Sequence, residues 1–517
     1  MRAGADPGDL DALFAAGLAG VLDGIAADLE RRKSPKPGHK DMHVRIQIQV
    51  CIFSVMTEIW MWSAVEIARA VREREVSARE VLEVHAARIA EVNPRVNAVT
   101  VEFGEAADEA DRVDRLIRDG ADPGPLAGVP VTVKENIDVA GHPTTHGVPH
   151  FKDAVASEDA PPVRRLRAAG AIPVGHGNMP DLTLAGNVTV SQLFGETINP
   201  WGAIRTPGGS SGGDAAAVAA GMAAIGLGND SGGSVRLPAL FCGLTALKPS
   251  YGRIAMDHRI GGSDPTLASQ LFPVDGPIAR TVADLALTFD TLAGSDSSDP
   301  RAIPNAGFLP SLPRRVAVCA DPVGLGVDPV IRAEIDNAAA ALADAGYDVE
   351  EAEPPRLADA LTSYGTLITA EFSRRWPSIR SLLTDESAQH MELSFAQRPD
   401  ATLDDYLDAT ATRFGVMREW AAFAERYPLI LGPVYSWRPF DADPFDSEQG
   451  LRVMFGMRLC TATTCVGVPA VAVPTGVDDG QPLGVQLIGP RNREDVCLEA
   501  ARVLESRFGT FGPVRRP

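Results

Sequence analysis

Long apolar runs are absent from this sequence. The nearest approach to one, residues 50–65, is interrupted by Ser54, Thr57, Glu58 and Ser63 and is shorter than the roughly 18 to 20 residues that a membrane-spanning helix needs. The first residues are rich in Gly and Asp and do not have the pattern of a signal peptide. We therefore expect a cytoplasmic protein that is neither inserted into a membrane nor exported.

Positive charge is scarce relative to negative charge. The chain has 48 Lys and Arg residues against 68 Asp and Glu residues, which gives a formal net charge of -20. Such a charge favours solubility and provides no broad attraction to nucleic acid or to anionic lipid. We therefore expect neither a nucleic-acid partner nor a membrane partner.

Cysteines are also few, and none forms a C-x-x-C pair. The chain has 6 cysteines, and Cys460 and Cys465 lack the nearby histidine cluster that would indicate zinc. We interpret the cysteines as reduced, mostly buried apolar side chains in a reducing cytoplasm. His142, His146 and His150 are four residues apart but lie among glycine and proline residues, so we interpret them as loop residues in contact with solvent. We expect neither a metal nor a cofactor.

The chain is nevertheless rich enough in apolar residues for a large core, because 45% of its residues are hydrophobic. Residues 8–31 have apolar side chains near helical spacing, and residues 31–41 have the composition of a linker. We therefore expect residues 1–55 to be an N-terminal extension, helical and then linker, that is either an appendage or an upstream over-read of the gene. Residues 56–517 then form the main domain.

Short apolar segments alternate with helical ones after Ser63. Ser63 and Ser77 are predicted helix N-caps, and Pro94 is predicted to end the second helix. Strands are predicted at VPVTVK, AIPVGH, AAIGLG, RVAVCA, AVAVPTG and VQLIGP, with helices over residues 159–169, 214–224 and 328–345. This alternation predicts an α/β fold with a mixed, largely parallel central sheet that is covered by helices on both faces.

Two serine clusters between residues 205 and 249 are flanked by glycines. One reads RTPGGSSGGDAAAVAAG and contains Ser210 and Ser211, and the other reads GNDSGGSVRLPA and contains Ser231 and Ser234. Dense glycines mark backbone conformations that other residues cannot adopt, or a close approach of another group. A phosphate-binding loop is disfavoured, because neither G-x-x-x-x-G-K-[ST] nor a strand-placed G-x-G-x-x-G is present.

Residues 209–213 also spell G-x-S-x-G, the nucleophile turn of α/β-hydrolases. In that reading Ser211 would attack the substrate and would need a downstream acidic residue followed by a histidine. Only His258 and His390 lie downstream, and neither belongs to a supporting pattern. We therefore disfavour Ser211 as the nucleophile.

A set of motifs in one order resembles the amidase signature family over roughly residues 63–517. The motifs are VKENIDVAG, NMPD, FGETINPW, the two serine clusters, GLTALKPSYGRI and GVPAVAVPTG. The resemblance implies the amidase signature fold and hydrolysis of a carboxylic amide to a carboxylate and ammonia or an amine. It also implies a triad in which Ser234 forms an acyl-enzyme, Ser210 relays the proton and Lys134 is the base, with a cis peptide between Gly209 and Ser210.

These residue types suit that chemistry. A serine hydroxyl is a poor nucleophile until a base removes its proton, and a lysine can be that base only where burial and neighbouring dipoles lower its pKa. Lys134 ends the apolar segment VPVTVK, which favours burial. The resemblance further implies an oxyanion hole and a set of supporting side chains. The oxyanion donors are the backbone N–H groups of Ser231, Gly232 and Gly233, and the supporting side chains are those of Ser211, Asp230 and Arg236.

Four departures from the family pattern leave the triad intact. The chain has VKEN for VKDN, GND for GTD, DSGG for DTGG, and Asp214 where a serine often follows GGSSGG. Residues 354–449 match the family least, and we expect them to shape the substrate pocket. The aromatic residues of this segment either line that pocket or belong to the core: Tyr364, Phe372, Trp376, Trp420, Tyr435, Trp437 and Phe440.

A second hypothesis is the glutaminase component of a tRNA-dependent amidotransferase, which uses the same triad. The chain reads MRLCTATTCVGVPA where that component has an acidic residue, and TTHGV where it has a TTCGS-like run. A non-catalytic binding protein on the same fold is disfavoured by the intact triad. The expected partners are a small-molecule amide and a second copy of the chain in a homodimer.

Overall fold

The computed structural model describes residues 58–184, 187–202, 204–257, 259, 263–305, 309–396, 401–442, 447–515 and 517. The predicted N-terminal extension, residues 1–55, lies outside them, so both the extension and its boundary with the main domain remain predictions. None of the described helices is long and apolar enough to cross a membrane.

The central layer is a mixed sheet of eleven described strands in the order β1-β3-β2-β6-β8-β7-β12-β13-β11-β9-β10, and β4 and β5 form a separate pair. The strands are β1 (Val99–Glu102), β2 (Pro130–Lys134), β3 (Ile172–Gly177), β4 (Val190–Ser191), β5 (Gly195–Glu196), β6 (Ile225–Asp230), β7 (Thr245–Lys248), β8 (Val274–Ala279), β9 (Arg315–Val318), β10 (Asp348–Glu351), β11 (Leu429–Pro433), β12 (Ala470–Asp478) and β13 (Gln481–Ile488).

Parallel pairing is confined to two groups of three strands. β2 is parallel to β3 and β6, and β9 is parallel to β10 and β11. The other pairings in the described sheet are antiparallel. Antiparallel pairs are more numerous than the sequence predicts, because β8 lies between β6 and β7 and because β12 and β13 form a hairpin. The hairpin turns at Asp479 and Gly480, whose φ angles of 49° and 72° suit a two-residue turn.

Helices pack against this sheet and against one another, which confirms the predicted α/β class. They are α1 (Ala64–Arg72), α2 (Ala78–Val96), α3 (Ala106–Arg118), α4 (Pro161–Ala168), α5 (Gly212–Ala219), α6 (Arg236–Phe241), α7 (Leu267–Leu271), α8 (Val282–Leu292), α9 (Pro329–Asp344), α10 (Leu357–Arg380), α11 (Asp385–Ala396), α12 (Leu403–Arg426), α13 (Ser447–Gly456), α14 (Arg458–Val466) and α15 (Glu494–Phe508). α5 packs against β2, β3, β6 and β8, whereas α10, α12 and α14 pack on one another.

The predicted N-caps of the first two helices are confirmed. The hydroxyl of Ser63 accepts a bond from the Glu66 amide and that of Ser77 from the Glu80 amide, and each glutamate accepts a bond from the cap residue's amide. The prediction that α2 ends at Pro94 is wrong by two residues, because the helix continues to Val96 and ends where Asn97 adopts the left-handed conformation.

The cysteine prediction holds wherever the structure describes a cysteine. The five described cysteines are free and buried, whereas Cys51 lies outside the described residues. Cys242 packs with small apolar residues of α5 and α6, and Cys460 packs beneath α6. These thiols therefore contribute to the core as compact apolar groups.

The parallel group β3-β2-β6 positions the lysine and serine motifs at one edge of the sheet. β2 is buried along its whole length and ends at Lys134, and β6 ends at Asp230. Val133 of β2 pairs with Leu227 of β6. Because the carboxyl ends of parallel neighbours meet at the same edge, Lys134 and the end of β6 lie close together.

Candidate active site

Lys134 is fully buried at this edge and has two close polar contacts. Its Nζ donates to the hydroxyl of Ser210 at 2.7 Å and to Oδ1 of Asn229 at 2.7 Å. Burial lowers the pKa of Lys134 to about 7, against the opposing effect of the Asp214, Asp230 and Asp275 carboxylates. A lysine in this state exists in part as the neutral amine near neutral pH, which is the form that can accept a proton.

Ser210 lies in the turn that enters α5. Its side chain is only 2% exposed, and the Gly209–Ser210 peptide bond is cis, as the resemblance implies. The turn leaves little space at Gly209, where a Cβ atom would lie 2.8 Å from the carbonyl oxygen of Val188. The structure therefore brings two of the predicted triad residues, Ser210 and Lys134, into direct contact.

Ser234 follows β6 and is half-buried, unlike the deeply buried Ser210. The amide of Ser211 donates to the carbonyl oxygen of Ser234 at 3.1 Å. This bond holds the two serine-bearing segments against each other. Of the three predicted triad side chains, Ser234 is the one that a substrate can reach from solvent.

Asp230 and Arg236 form a fully buried ion pair directly beneath the DSGG loop. Nε of Arg236 lies 3.0 Å from Oδ2 of Asp230, and Nη2 lies 2.9 Å from Oδ1. Arg236 also donates to Oε1 of Gln486 at 2.9 Å and to the carbonyl oxygen of Cys460 at 3.1 Å. Although burial opposes ionisation, the Arg236 guanidinium holds the pKa of Asp230 well below its usual range. These contacts are those of the loop brace predicted for the two residues.

The DSGG loop wraps around the same carboxylate. The amides of Gly232 and Gly233 donate to Oδ1 of Asp230 at 3.2 and 2.7 Å. Two of the three predicted oxyanion donors are therefore directed at Asp230 in this structure. Gly233 has a φ of 129°, a conformation that side-chain-bearing residues rarely adopt, which accounts for a glycine at this position.

Ser211 has a different environment from that predicted for it. Its hydroxyl donates to the carbonyl oxygen of Asn229 at 3.3 Å rather than to Lys134, and the residue is fully buried. Burial also argues against Ser211 as the nucleophile of a G-x-S-x-G turn, because that serine must be exposed to its substrate. The Ser211 side chain instead supports the end of β6, where Lys134 also binds.

Two residues at the site were not singled out as site residues from the sequence. Asn229 accepts from Lys134, and its Nδ2 donates to Oδ1 of Asn136 at 2.9 Å. Tyr364 of α10 donates from its hydroxyl to the carbonyl oxygen of Ser231 at 2.6 Å. The departure GND for GTD was a signal for Asn229, whereas nothing in the sequence pattern distinguished Tyr364 from the other aromatic residues of its segment.

The remaining aromatic residues of residues 354–449 are largely structural. Trp420, Tyr435 and Phe440 are buried in core clusters. Tyr364 packs at a ring-centroid distance of 4.8 Å on Phe272, so this pair lies beside the DSGG loop. The prediction that the segment shapes the substrate pocket remains a prediction.

The three spaced histidines have separate environments. Nε2 of His142 lies 3.0 Å from the carboxylate of Glu105, and His150 is exposed. His146 is buried rather than in contact with solvent, and burial together with the charge of Lys134 lowers its pKa to about 4. His146 is therefore neutral at physiological pH.

Comparison with known proteins gives one consistent class. The amidase family model matches residues 80–498. An indoleacetamide hydrolase of Bradyrhizobium diazoefficiens is 38% identical over 460 residues, which cover 88% of each chain. The glutaminase component of the glutamyl-tRNA(Gln) amidotransferase of Symbiobacterium thermophilum is 36% identical over 477 residues, which cover 85% of this chain and 96% of that one.

Solved structures agree with these relatives. A 6-aminohexanoate cyclic dimer hydrolase in complex with its substrate has a TM-score of 0.75 at 28% identity and covers 89% of this chain and 100% of that one. A bacterial aryl acylamidase of the amidase signature family has a TM-score of 0.73 at 26% identity and covers 88% and 99%.

The chain belongs to the amidase family and has the amidase signature fold. The predictions that it is an enzyme and that it hydrolyses carboxylic amides are thereby confirmed at the level of the family. The particular amide and the roles of individual residues are a separate question.

Proposed function

We propose that this chain hydrolyses a primary amide with an aryl-substituted acyl group through an acyl-enzyme on Ser234, and that indole-3-acetamide is the first candidate substrate. The observation that carries the mechanism is the 2.7 Å contact between buried Lys134 and Ser210. The candidate substrate is supported by the 38% identity to an indoleacetamide hydrolase over 88% of both chains.

The first step activates Ser234. Neutral Lys134 accepts the proton of Ser210, and Ser210 accepts the proton of Ser234 as its oxygen attacks the amide carbon. The pKa of Lys134, lowered by burial to about 7, supports this role because an ordinary lysine would be protonated and unable to act. The reverse transfer protonates the leaving ammonia, and water then attacks the acyl-enzyme to release the carboxylate.

The tetrahedral intermediate needs donors for its negative oxygen. We assign this role to backbone amides of the DSGGS loop, of which that of Ser231 is predicted and is not among those that donate to Asp230. Each such donor contributes roughly 3 to 4 kcal/mol to the rate in comparable hydrolases. The Gly232 and Gly233 amides can join only if they share their hydrogen atoms between Asp230 and the substrate.

The second candidate is the glutaminase component of a tRNA-dependent amidotransferase. It is favoured by the 36% identity to such a protein over 96% of that protein's length. Against it stand MRLCTATTCVGVPA, which lacks the expected acidic residue, and TTHGV. In that TTHGV segment the amides of Thr145 and Gly147 bind buried Glu135.

We place the enzyme in the cytoplasm as a homodimer that needs no metal or cofactor. The cytoplasmic location is supported by the free cysteines. Size-exclusion chromatography with light scattering tests the dimer, and a monomer mass near 54.6 kDa in solution would contradict it.

The decisive assay is ammonia release by the purified chain from indole-3-acetamide, benzamide, acetamide and glutamine. We expect turnover of an aryl amide that Ser234→Ala and Lys134→Met abolish. Two matched controls are Ser297→Ala and Lys152→Met, which alter exposed residues and should retain activity.

The alternatives give different results in the same assay. Turnover of glutamine alone, or activity only after the other amidotransferase subunits are added, would replace this proposal with the glutaminase component. Full activity in Ser234→Ala would contradict the acyl-enzyme. Absence of turnover together with absence of fluorophosphonate labelling would favour a binding protein.

A further inference from the structure

A buried carboxylate beside Lys134 has no part in the mechanism so far. Asp214 lies in the first turn of α5, immediately after GGSSGG, and is completely buried. Neither of its carboxylate oxygens has a hydrogen-bond partner among the described residues. An ionisable group in this position is costly unless another charge compensates it, so its surroundings must explain it.

Two glycines make room for this carboxylate. A Cβ atom on Gly177 would lie 2.4 Å from Oδ1 of Asp214, and one on Gly226 would lie 2.9 Å from Cβ of Asp214. Gly177 of β3 pairs with Lys134 of β2, and Gly226 of β6 pairs with Thr132. Paired residues of parallel neighbours face the same side of a sheet, as do residues two apart on one strand. The Asp214 carboxylate therefore lies on the face that bears the Lys134 side chain.

We propose that Asp214 is a positioning residue that acts as the electrostatic partner of Lys134, held over Gly177 and Gly226 so that its charge sets the proton affinity of the lysine. The electrostatic coupling depends only on this geometry. Its consequence for catalysis rests on the proposed function, in which Lys134 is the base.

The other charged groups around Lys134 are better compensated or carry no charge. Asp230 of β6 is neutralised by Arg236 and by loop amides, and His146 is neutral because burial lowers its pKa to about 4. Asp275 of β8 also acts on Lys134, but more weakly than Asp214. Asp214 is thus the largest of the carboxylate effects on this lysine.

The two groups titrate in the same range. Burial raises the pKa of Asp214 to about 7, against the opposing effects of the Thr132 hydroxyl and the Lys134 charge, and burial lowers that of Lys134 to about 7. Near neutral pH the pair therefore holds about one proton, either on the carboxyl group or on the amine. A proton on Asp214 leaves Lys134 neutral and ready to accept the proton from Ser210.

The lysine content of the chain allows a direct test. The sequence has six lysines, of which Lys134 and Lys248 are fully buried among the described residues. We would label lysine with ¹³C at Cε and follow its NMR signals with pH in the wild type, Asp214→Asn and Asp214→Ser. The signal lost in Lys134→Met identifies Lys134.

Removal of the Asp214 charge should lower the titration midpoint of Lys134 by about 1 pH unit or more. Lys248 is the internal control: burial also lowers its pKa to about 7, but its charged neighbours are Arg236, Asp230 and Glu494. Asp284→Asn removes a different buried carboxyl group, on α8, and should leave the Lys134 midpoint unchanged. Should Asp214→Asn fail to fold, Asp214→Ser provides the second variant, with the residue that often stands at this position in the family.

The kinetic measurement separates this inference from the proposed function. If Lys134 is the base, the acidic limb of kcat/KM for indole-3-acetamide should move to lower pH by the same amount in the Asp214 variants. A shift in the NMR midpoint without a shift in the kinetic limb would support the Asp214–Lys134 coupling and contradict the role of Lys134 as base. An unchanged NMR midpoint in both Asp214 variants would overturn the inference.

Discussion

Replacement of Arg236 by glutamine should destabilise the protein strongly, because it leaves the Asp230 carboxylate buried without its counter-ion. Arg236 gives this carboxylate two charged hydrogen bonds, at 2.9 and 3.0 Å. Each bond of this kind contributes about 1.5 to 3 kcal/mol. The sum agrees with the loss of about 3 to 5 kcal/mol that follows removal of one partner of a buried pair.

The assay is urea-induced unfolding followed by tryptophan fluorescence for four proteins: the wild type, Arg236→Gln, Asp230→Asn and the double variant. The double variant should be more stable than Arg236→Gln, because it removes the uncompensated charge. Arg332→Gln breaks an exposed pair with Asp336 at 2.9 Å and serves as the matched control with a small effect.

The dependence on pH has opposite signs in the two proteins. In the wild type the pKa of Asp230 is well below its usual range, so the stabilisation is present at neutral pH and is lost as pH falls through the folded-state pKa. In Arg236→Gln burial is unopposed and raises that pKa, so the stability deficit should shrink as the pH is lowered. A deficit under about 1 kcal/mol, or a double variant no more stable than Arg236→Gln, would refute the reasoning.

Three further predictions concern activity. Below about pH 7 the kcat/KM of the wild type should fall about tenfold per pH unit, because Lys134 becomes protonated and cannot act as base; a pH profile checks this. Tyr364→Phe removes the 2.6 Å bond to the carbonyl oxygen of Ser231 and should lower kcat more than it raises KM, which steady-state kinetics resolve. Gly233→Ala should lose most activity, because φ is 129° and the added Cβ would lie 2.2 Å from Cε of Met457. Gly104→Ala, with open space around it, should be as active as the wild type in the same assay.

The parts of the site that the sequence predicts are those encoded in local motifs. Lys134 and Ser210 belong to separate motifs 76 residues apart, and the structure brings their side chains to 2.7 Å. The cis peptide and the two N-caps follow from short stretches of sequence in the same way. Such features depend mainly on residues adjacent in the chain, so a single sequence carries enough information to predict them.

Other features depend on neighbours that are distant in sequence. Asn229 binds Lys134 because β6 lies beside β2, and its residue type alone does not indicate this contact. Tyr364 reaches Ser231 across 133 residues, and helix periodicity does not say which aromatic side chain does so. The Asp230 contacts of Gly232 and Gly233 likewise depend on how the loop folds back, so the sequence alone assigns these amides only to the oxyanion hole.

The central claim is that Ser234 forms the acyl-enzyme. Acid quenching during turnover of indole-3-acetamide, followed by peptide mapping with mass spectrometry, tests it directly. The account predicts an indoleacetyl group on the peptide containing Ser234 and none in Ser234→Ala. An acyl group on Ser211, or turnover that persists in Ser234→Ala without an adduct, would contradict it.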